Sequence, residues 1–183
     1  MISKTQISAK IEELFGIDLR SLAVFRICLG LVILWDLIVR STALSAHYTD
    51  VGVLPRSVLL EEYPRDWYLS LHLLNGTEAF QIVLFVLAGI VAIALVLGLY
   101  TRMSTIVSWT FLLSLHVRNP AVLNSGDTLF LLLLFWAMFL PLGARFSLDV
   151  LRNPSKRALS RTVLSAATLG VLLQICILYW FSV

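Results

Sequence analysis

Long apolar runs separated by short polar stretches dominate this chain. Five segments, about 19–39, 79–99, 103–117, 128–142 and 162–183, are predominantly apolar. A helix crossing the hydrocarbon core of a bilayer needs roughly 20 such residues. The pattern predicts an all-α fold: a polytopic transmembrane helical bundle of about five spanning helices plus interfacial helices, with 19–183 as one domain. Residues 1–18 behave differently. Ile7, Ile11, Leu14 and Phe15 recur at helical spacing with Lys10, Glu12 and Glu13 between them, which predicts an amphipathic lead-in lying on the membrane surface.

The third and fourth runs are short for spans, as expected of helices that are buried centrally or start within polar-looking ends. Asp127 is placed to N-cap the fourth by accepting a free backbone N–H. The connection over 40–78 mixes His47-Tyr48-Thr49-Asp50, Val51-Gly52-Val53-Leu54-Pro55-Arg56, an apolar stretch Ser57–Leu60, and Tyr63, Trp67 and Tyr68. Aromatic rings favour the headgroup level, so this segment is expected to form interfacial helices and turns. Tyr100-Thr101-Arg102 reads as a turn. Val117–Asp127 is a loop marked by Asn119-Pro120 and Ser125-Gly126, and 143–161 is a basic loop.

Composition agrees with this pattern. Of 183 residues, 59% are hydrophobic and 14% charged, against about a quarter charged in a soluble domain; mean hydropathy is +0.91. The formal net charge of +3 suits cytoplasmic loops better than nucleic acid, so a lipid bilayer is the expected partner, with a membrane or extracytoplasmic protein as a second. With five spans, Lys4, Lys10, Arg20, Arg102, Arg145, Arg152, Lys156, Arg157 and Arg161 share one side. The other side holds Arg40, Arg56, Arg65 and Arg118. This asymmetry predicts the N-terminus inside and the C-terminus outside, most naturally in a prokaryotic cytoplasmic membrane. The stretch before Ser21 lacks a signal-peptide pattern. Cys28 and Cys176 lie inside apolar runs with no C-x-x-C or Cys/His cluster, so neither a disulfide framework nor a metal site is expected.

That orientation brings two polar stretches, 47–56 and 116–127, to the same extracytoplasmic face. The candidate site residues are His47, Tyr48 and Asp50 from one, and His116, Arg118, Asn119, Asn124 and Asp127 from the other, joined by Arg26 and Asp36 of the first span. Arg26 lies about 10 Å into that span at 1.5 Å per residue. It must therefore face the interior, pair or snorkel: either an anchor for an anionic or quinone-like headgroup, or a carbonyl clamp. Asp36 has Arg40 four residues on along the same face. The loop residues supply an imidazole, a phenol and carboxylates, or serve only as loop braces, turn residues and caps. Asn75-Gly76-Thr77 fits a glycosylation acceptor.

Taken in order, the motifs resemble the HTTM domain family, the transmembrane domain related to vitamin K-dependent gamma-carboxylase. The matching stretches are Phe25-Arg26-Ile27 with Gly30, then Asp36, Arg40 and His47–Arg56, followed by Gly98-Leu99-Tyr100-Thr101-Arg102. Ser114, Arg118-Asn119-Pro120, Asn124-Ser125-Gly126-Asp127, Phe139–Gly143 and Ser147-Leu148-Asp149 complete the series over about residues 20–150. The resemblance implies a quinone among the helices and reacting groups towards the outer face. In the carboxylase, oxidation of reduced vitamin K is coupled to proton abstraction from glutamate and addition of carbon dioxide. The carboxylase has a histidine after asparagine in the stretch that resembles Asn124–Asp127, where this sequence continues Ser125-Gly126-Asp127. The helix resembling Leu173–Phe181 precedes a basic lysine in the carboxylase, and that lysine has no counterpart before Val183.

The resulting expectation is either a fragment of a longer HTTM protein or a short relative without the carboxylation base. The first reading of function is a non-catalytic binder of lipid or quinone, or a scaffold. The second is part of a quinone-linked, carboxylase-like enzyme. A transporter fits less well, because the chain shows no inverted repeat.

Overall fold

The computed structural model describes residues 10, 12–62, 70–154 and 161–181, and over these the chain is all-α apart from one short strand pair. Most of the amphipathic lead-in, including Ile7 and Ile11, and the interfacial Tyr63, Trp67 and Tyr68 lie outside the described residues. Residues 12–15 form a helical turn closed by the Gly16 N–H on the Glu12 carbonyl at 2.9 Å.

Helix α1 (Leu19–Ser41) begins at Asp18, whose carboxylate accepts the Arg20 N–H at 2.6 Å. It ends where Ser41 and Thr42 turn their hydroxyls back onto the Ile38 and Val39 carbonyls, each at 2.7 Å. Two short helices follow, α2 (Leu44–Tyr48) and α3 (Arg56–Glu62), then a 3₁₀ turn over Leu71–Leu73. Helix α4 (Glu78–Leu97) stops at Gly98, whose φ of +69° is the left-handed geometry that ends helices without a Cβ penalty. Helix α5 (Thr101–Arg118) leads through a 3₁₀ turn at Pro120–Val122 into α6 (Ser125–Ala137). After α7 (Leu148–Arg152) comes α8 (Ala166–Phe181).

The long helices pack in chain order: α1 on α4, α4 on α5, α5 on α6, and α6 on α8. Two strands, β1 (Ile17–Asp18) and β2 (Thr162–Val163), pair antiparallel with Ile17 opposite Val163. They tie the start of α1 to the start of α8. The α4–α5 turn shares that end of the bundle with α7, because Asp149 accepts the Tyr100 and Thr101 N–H groups at 2.8 Å each. The opposite end carries α2, α3 and the 3₁₀ turns. Close approach of α1 and α4 depends on Gly30, where a Cβ would stand 2.5 Å from Val96 Cγ2. Small residues at such crossings let helix backbones meet.

Apolar side chains cover the outside. Val32, Trp35 and Ile38 of α1, Val86 and Ile90 of α4, and Leu173 and Ile177 of α8 are exposed. Polar groups are inside: Arg26, Gln81 and Arg118 are wholly buried, and Thr105, Ser108 and Ser114 nearly so. Helix α5 is central and turns these hydroxyls inward, Thr105 bonding back to the Thr101 carbonyl at 2.8 Å. Its hydropathy is low for that reason, although it is 18 residues long. Among the described residues two helices, α1 and α4, are long and apolar enough to cross a membrane. The fourth apolar run, expected over 128–142, is helical over Ser125–Ala137 and then breaks into turns around Pro141. With α8 it is apolar but shorter than that length.

Candidate functional site

Arg40, in the last turn of α1, organises the polar end of the bundle. Its Nε meets both carboxylate oxygens of Asp36, at 2.8 and 2.7 Å, one helical turn back. Nη1 donates to the Tyr48 hydroxyl at 3.0 Å, and Nη2 to Asp127 Oδ1 at 2.6 Å. A planar guanidinium with a fixed fork of donors can hold three partners in this way; a lysine ammonium cannot match the bidentate geometry. Both Arg40 and Asp127 side chains are only 11% exposed, so these are bonds in a largely water-free setting. Burial also raises the Tyr48 phenol above its ordinary value, against the opposing pull of the Arg40 bond, which keeps it a neutral donor or acceptor.

The sequence fixes Asp127 locally in another way than expected. Asn124 is the N-cap of α6, its Oδ1 accepting the Gly126 and Asp127 N–H groups at 2.8 and 3.3 Å. Asp127 sits at the third helical position and reaches back to the Asn124 N–H at 2.8 Å. This reciprocal capping box holds one carboxylate oxygen and leaves the other for Arg40. His116 lies behind: its Nε2 is buried, lacks a hydrogen-bond partner, and stands 3.9 Å from Asp127 Oδ1, beyond bonding distance.

A second knot braces the loop that carries Asp50. Arg56 forks onto Asp50 at 3.0 and 2.7 Å and donates to the Leu73 carbonyl at 2.9 Å. The Arg56 bonds, foremost, hold the Asp50 carboxyl below its ordinary value of 3.8. Arg118 is wholly buried; it donates to the Leu54 and Thr49 carbonyls at 2.8 and 2.9 Å and faces Asp50 at 3.8 Å. Asn119 Nδ2 donates to the His47 carbonyl at 2.9 Å. For His47 itself the described ring neighbour is Tyr48, edge-on at 6.3 Å. Asn75 accepts the Thr77 N–H at 2.8 Å, and Gly76 lies where any Cβ would collide with the Asp50 carboxylate. The Asn-Gly-Thr triplet thus forms a turn under the Asp50 knot.

Arg26 does not join this cluster. It lies about 21 Å lower along α1, fourteen residues at 1.5 Å each. There it is wholly buried among carbonyls: Leu142 at 3.1 Å, Arg145 at 3.4 Å, Phe146 at 2.6 Å and Val96 at 3.4 Å. It ties α1, the end of α4 and the 142–146 turn together. The structure therefore brings together Asp36, Tyr48, His116, Asn124 and Asp127 around Arg40, places Asp50, Arg118 and Asn119 in the adjoining brace, and sends Arg26 to the opposite end.

One buried group escapes sequence reasoning altogether. His72 Nδ1 lies 2.7 Å from Ser114 Oγ, which also receives the His72 N–H at 3.1 Å. Gln81 Nε2 donates to the His72 and Asn75 carbonyls at 3.0 and 2.7 Å. Burial, with Arg118 adding repulsion, pushes the His72 imidazole down to about 4. Nothing in the neighbourhood of His72 in the chain marks it, because Ser114 is 42 residues away. Among the described residues no three His, Cys, Asp or Glu side chains converge as a metal-binding group.

Two spaces adjoin the cluster. Asp36, His72 and Ser108 line an apolar cavity of about 10 Å³, the space of one water molecule. On the outer surface a groove of about 310 Å³ runs between α1 and α6. Val32, Leu129, Phe130 and Leu133 form its walls, with Asp36, Asn124 and Asp127 at its head. Comparisons with family models, curated proteins and solved structures find no match to the chain.

Proposed function

We propose that this chain is an HTTM-like polytopic membrane protein of five spans that binds an amphiphile, a lipid or a quinone, in the groove between α1 and α6. Burial supports the membrane setting: wholly buried arginines and inward hydroxyls are surrounded by exposed valine, leucine and isoleucine. In water that distribution would leave large apolar patches unprotected, whereas in lipid it satisfies the polar groups internally. The strand pair and the Asp149 bonds gather the start of α1, the α4–α5 turn and the start of α8 at one end. That end carries Arg20, Arg102, Arg145, Arg152 and Arg161, as an N-inside topology requires.

The groove is the observation that carries the ligand reading. Its apolar walls suit an acyl or isoprenoid chain, and its head offers carboxylates held in place by Arg40 and a capping box. A small number of fixed polar groups above an apolar slot is the usual anatomy of a site for an amphiphilic molecule.

The test is retention of a prenylated naphthoquinone and of phospholipid by the purified full-length protein. Val32→Trp fills the groove from an exposed position on α1 and should lower retention of the bound amphiphile at least severalfold, and Leu133→Trp should do the same from α6. Unchanged retention in both variants would remove the groove as the site.

A further inference from the structure

A second groove opens at the other end of the bundle, between the start of α5 and the turn that follows α6. It has a volume of about 440 Å³. Met138, Phe139 and Pro141 of the turn line it together with Thr101, Arg102 and Thr105 of α5, and Asp149 lines it as well. The turn is held from behind. Its Ala144 N–H closes on the Pro141 carbonyl at 3.1 Å, and the buried Arg26 donates to the Leu142 and Phe146 carbonyls at 3.1 and 2.6 Å. This wall is therefore part of the packed bundle.

Positive charge prevails around it. Arg102 is exposed and has no ion-pair partner among the described residues. Arg145 follows the lining residue Ala144, and Arg152 lies over the Tyr100 ring at 5.3 Å, next to the lining residue Thr101. Against these three guanidiniums stands one carboxylate. Asp149 is already engaged in capping α5, accepting the Tyr100 N–H, the Thr101 N–H and the Thr101 hydroxyl at 2.8 Å each. The α1–α6 groove has the opposite sign, since Asp36 and Asp127 line it and no cationic side chain does. An anionic molecule is therefore attracted to one groove and repelled from the other.

We propose that the groove beside Arg102 seats an anionic phospholipid of the inner leaflet. Its phosphate takes N–H bonds from the Arg102 guanidinium, whose planar fork matches phosphate oxygens, and an acyl chain lies along Met138, Phe139 and Pro141. The inference rests on the membrane setting and N-inside topology read above, and not on the α1–α6 groove. A zwitterionic lipid brings the same phosphate with an ammonium group that finds no free carboxylate here. A quinone brings no charge at all. Basic residues at a membrane surface attract anionic lipid in general; a groove next to one free arginine adds a fixed seat for a single molecule.

The experiment loads the purified full-length protein with equimolar phosphatidylglycerol and phosphatidylcholine of identical acyl chains and counts the first bound lipid by native mass spectrometry. Phosphatidylglycerol should lead by about fivefold, the ratio given by about 1 kcal/mol for one arginine at an anionic headgroup. Arg102→Gln should bring the ratio close to one, and Arg102→Lys, which keeps the charge, should retain part of it. Met138→Trp, which narrows the groove, should lower the amount of phosphatidylglycerol bound. Arg20→Ala removes a charge from the same end at a residue that does not line the groove, and should leave the preference largely in place. Arg20 and Arg102 are both exposed, so neither substitution threatens the fold. A wild-type ratio below about two, or equal losses in Arg102→Gln and Arg20→Ala, would overturn the proposal. If the protein needs detergent to stay in solution yet shows no preference, only the lipid assignment falls. If it is soluble without detergent, the membrane setting falls and the lipid site with it.

Discussion

Acidification should weaken the fold through His72. Its side chain is 2% exposed, its Nδ1 is 2.7 Å from the Ser114 hydroxyl, and its imidazole is held down to about 4 from an ordinary 6.5. Desolvation is the first cause, and repulsion from the wholly buried Arg118 adds to it. Because the folded value is depressed, the neutral form contributes stability that is complete above pH 6.5. That stability is lost as the pH falls from 6.5 through about 4, where the unfolded chain takes up a proton that the folded one resists. The interval is 6.5 − 4, or about 2.5, and each unit is worth about 1.36 kcal/mol, which gives about 3 kcal/mol in all. For a chain of this length that corresponds to a fall of roughly 6–12 °C in melting temperature. The assay is thermal unfolding of purified protein between pH 7.5 and 4, wild type against His72→Gln. All other side chains are common to both proteins, so the difference between their curves isolates His72. The variant should start lower at pH 7.5 and then fall less steeply, closing most of the gap by pH 4. Parallel curves would refute the assignment of a buried neutral imidazole.

Four further outcomes follow from named contacts. Arg40→Met leaves Asp36 and Asp127 facing each other without their cation, and loss of one partner from a buried pair costs about 3–5 kcal/mol; a loss below about 1 kcal/mol in thermal or denaturant unfolding would show that the fork does not hold the cluster. Gly98→Ala puts a side chain on a residue at φ +69°, 2.6 Å from the Arg26 guanidinium, and should destabilise by more than about 1 kcal/mol, whereas Gly89→Ala, with open space around it, should be neutral or slightly stabilising. Gly30→Val should force α1 from α4 at a cost of about 1–3 kcal/mol, read as a lowered melting temperature. In a Cys28→Ala, Cys176→Ala background, a cysteine at Ser57 should react with an impermeant maleimide from outside intact cells and one at Asn153 only after lysis; the reverse pattern would invert the topology.

Apolar segmentation was legible without the structure because it depends only on residue type along the chain. The α1 and α4 helices fall close to the apolar runs at 19–39 and 79–99, and Arg40 pairs with Asp36 as their four-residue spacing allows. The α5 helix was less legible. Its Thr101, Ser104, Thr105 and Ser108 lower its hydropathy, and only its central place between α4 and α6 accounts for them. Capping was legible in kind but not in place: Asn124 and Asp127 both hydrogen-bond at the start of α6, but Asn124 is the cap and Asp127 reaches back from the third position. The assignment of Arg26 to the polar face could not be tested by spacing, since its four carbonyl acceptors come from residues 70 to 120 positions away.

By itself the sequence determined which stretches are apolar and that the chain is mostly helical, with α1 and α4 close to their apolar runs, since these properties are local along the chain. Tertiary structure alone decided which polar groups meet. Arg40 reaches Asp127 across 87 residues, His72 finds Ser114 across 42, and Arg26 seals the opposite end. Each of these buried groups must find a partner when lipid or packed helices exclude water, and only the packing of α1 against α4, α5 and the head of α6 determines which partner lies within reach.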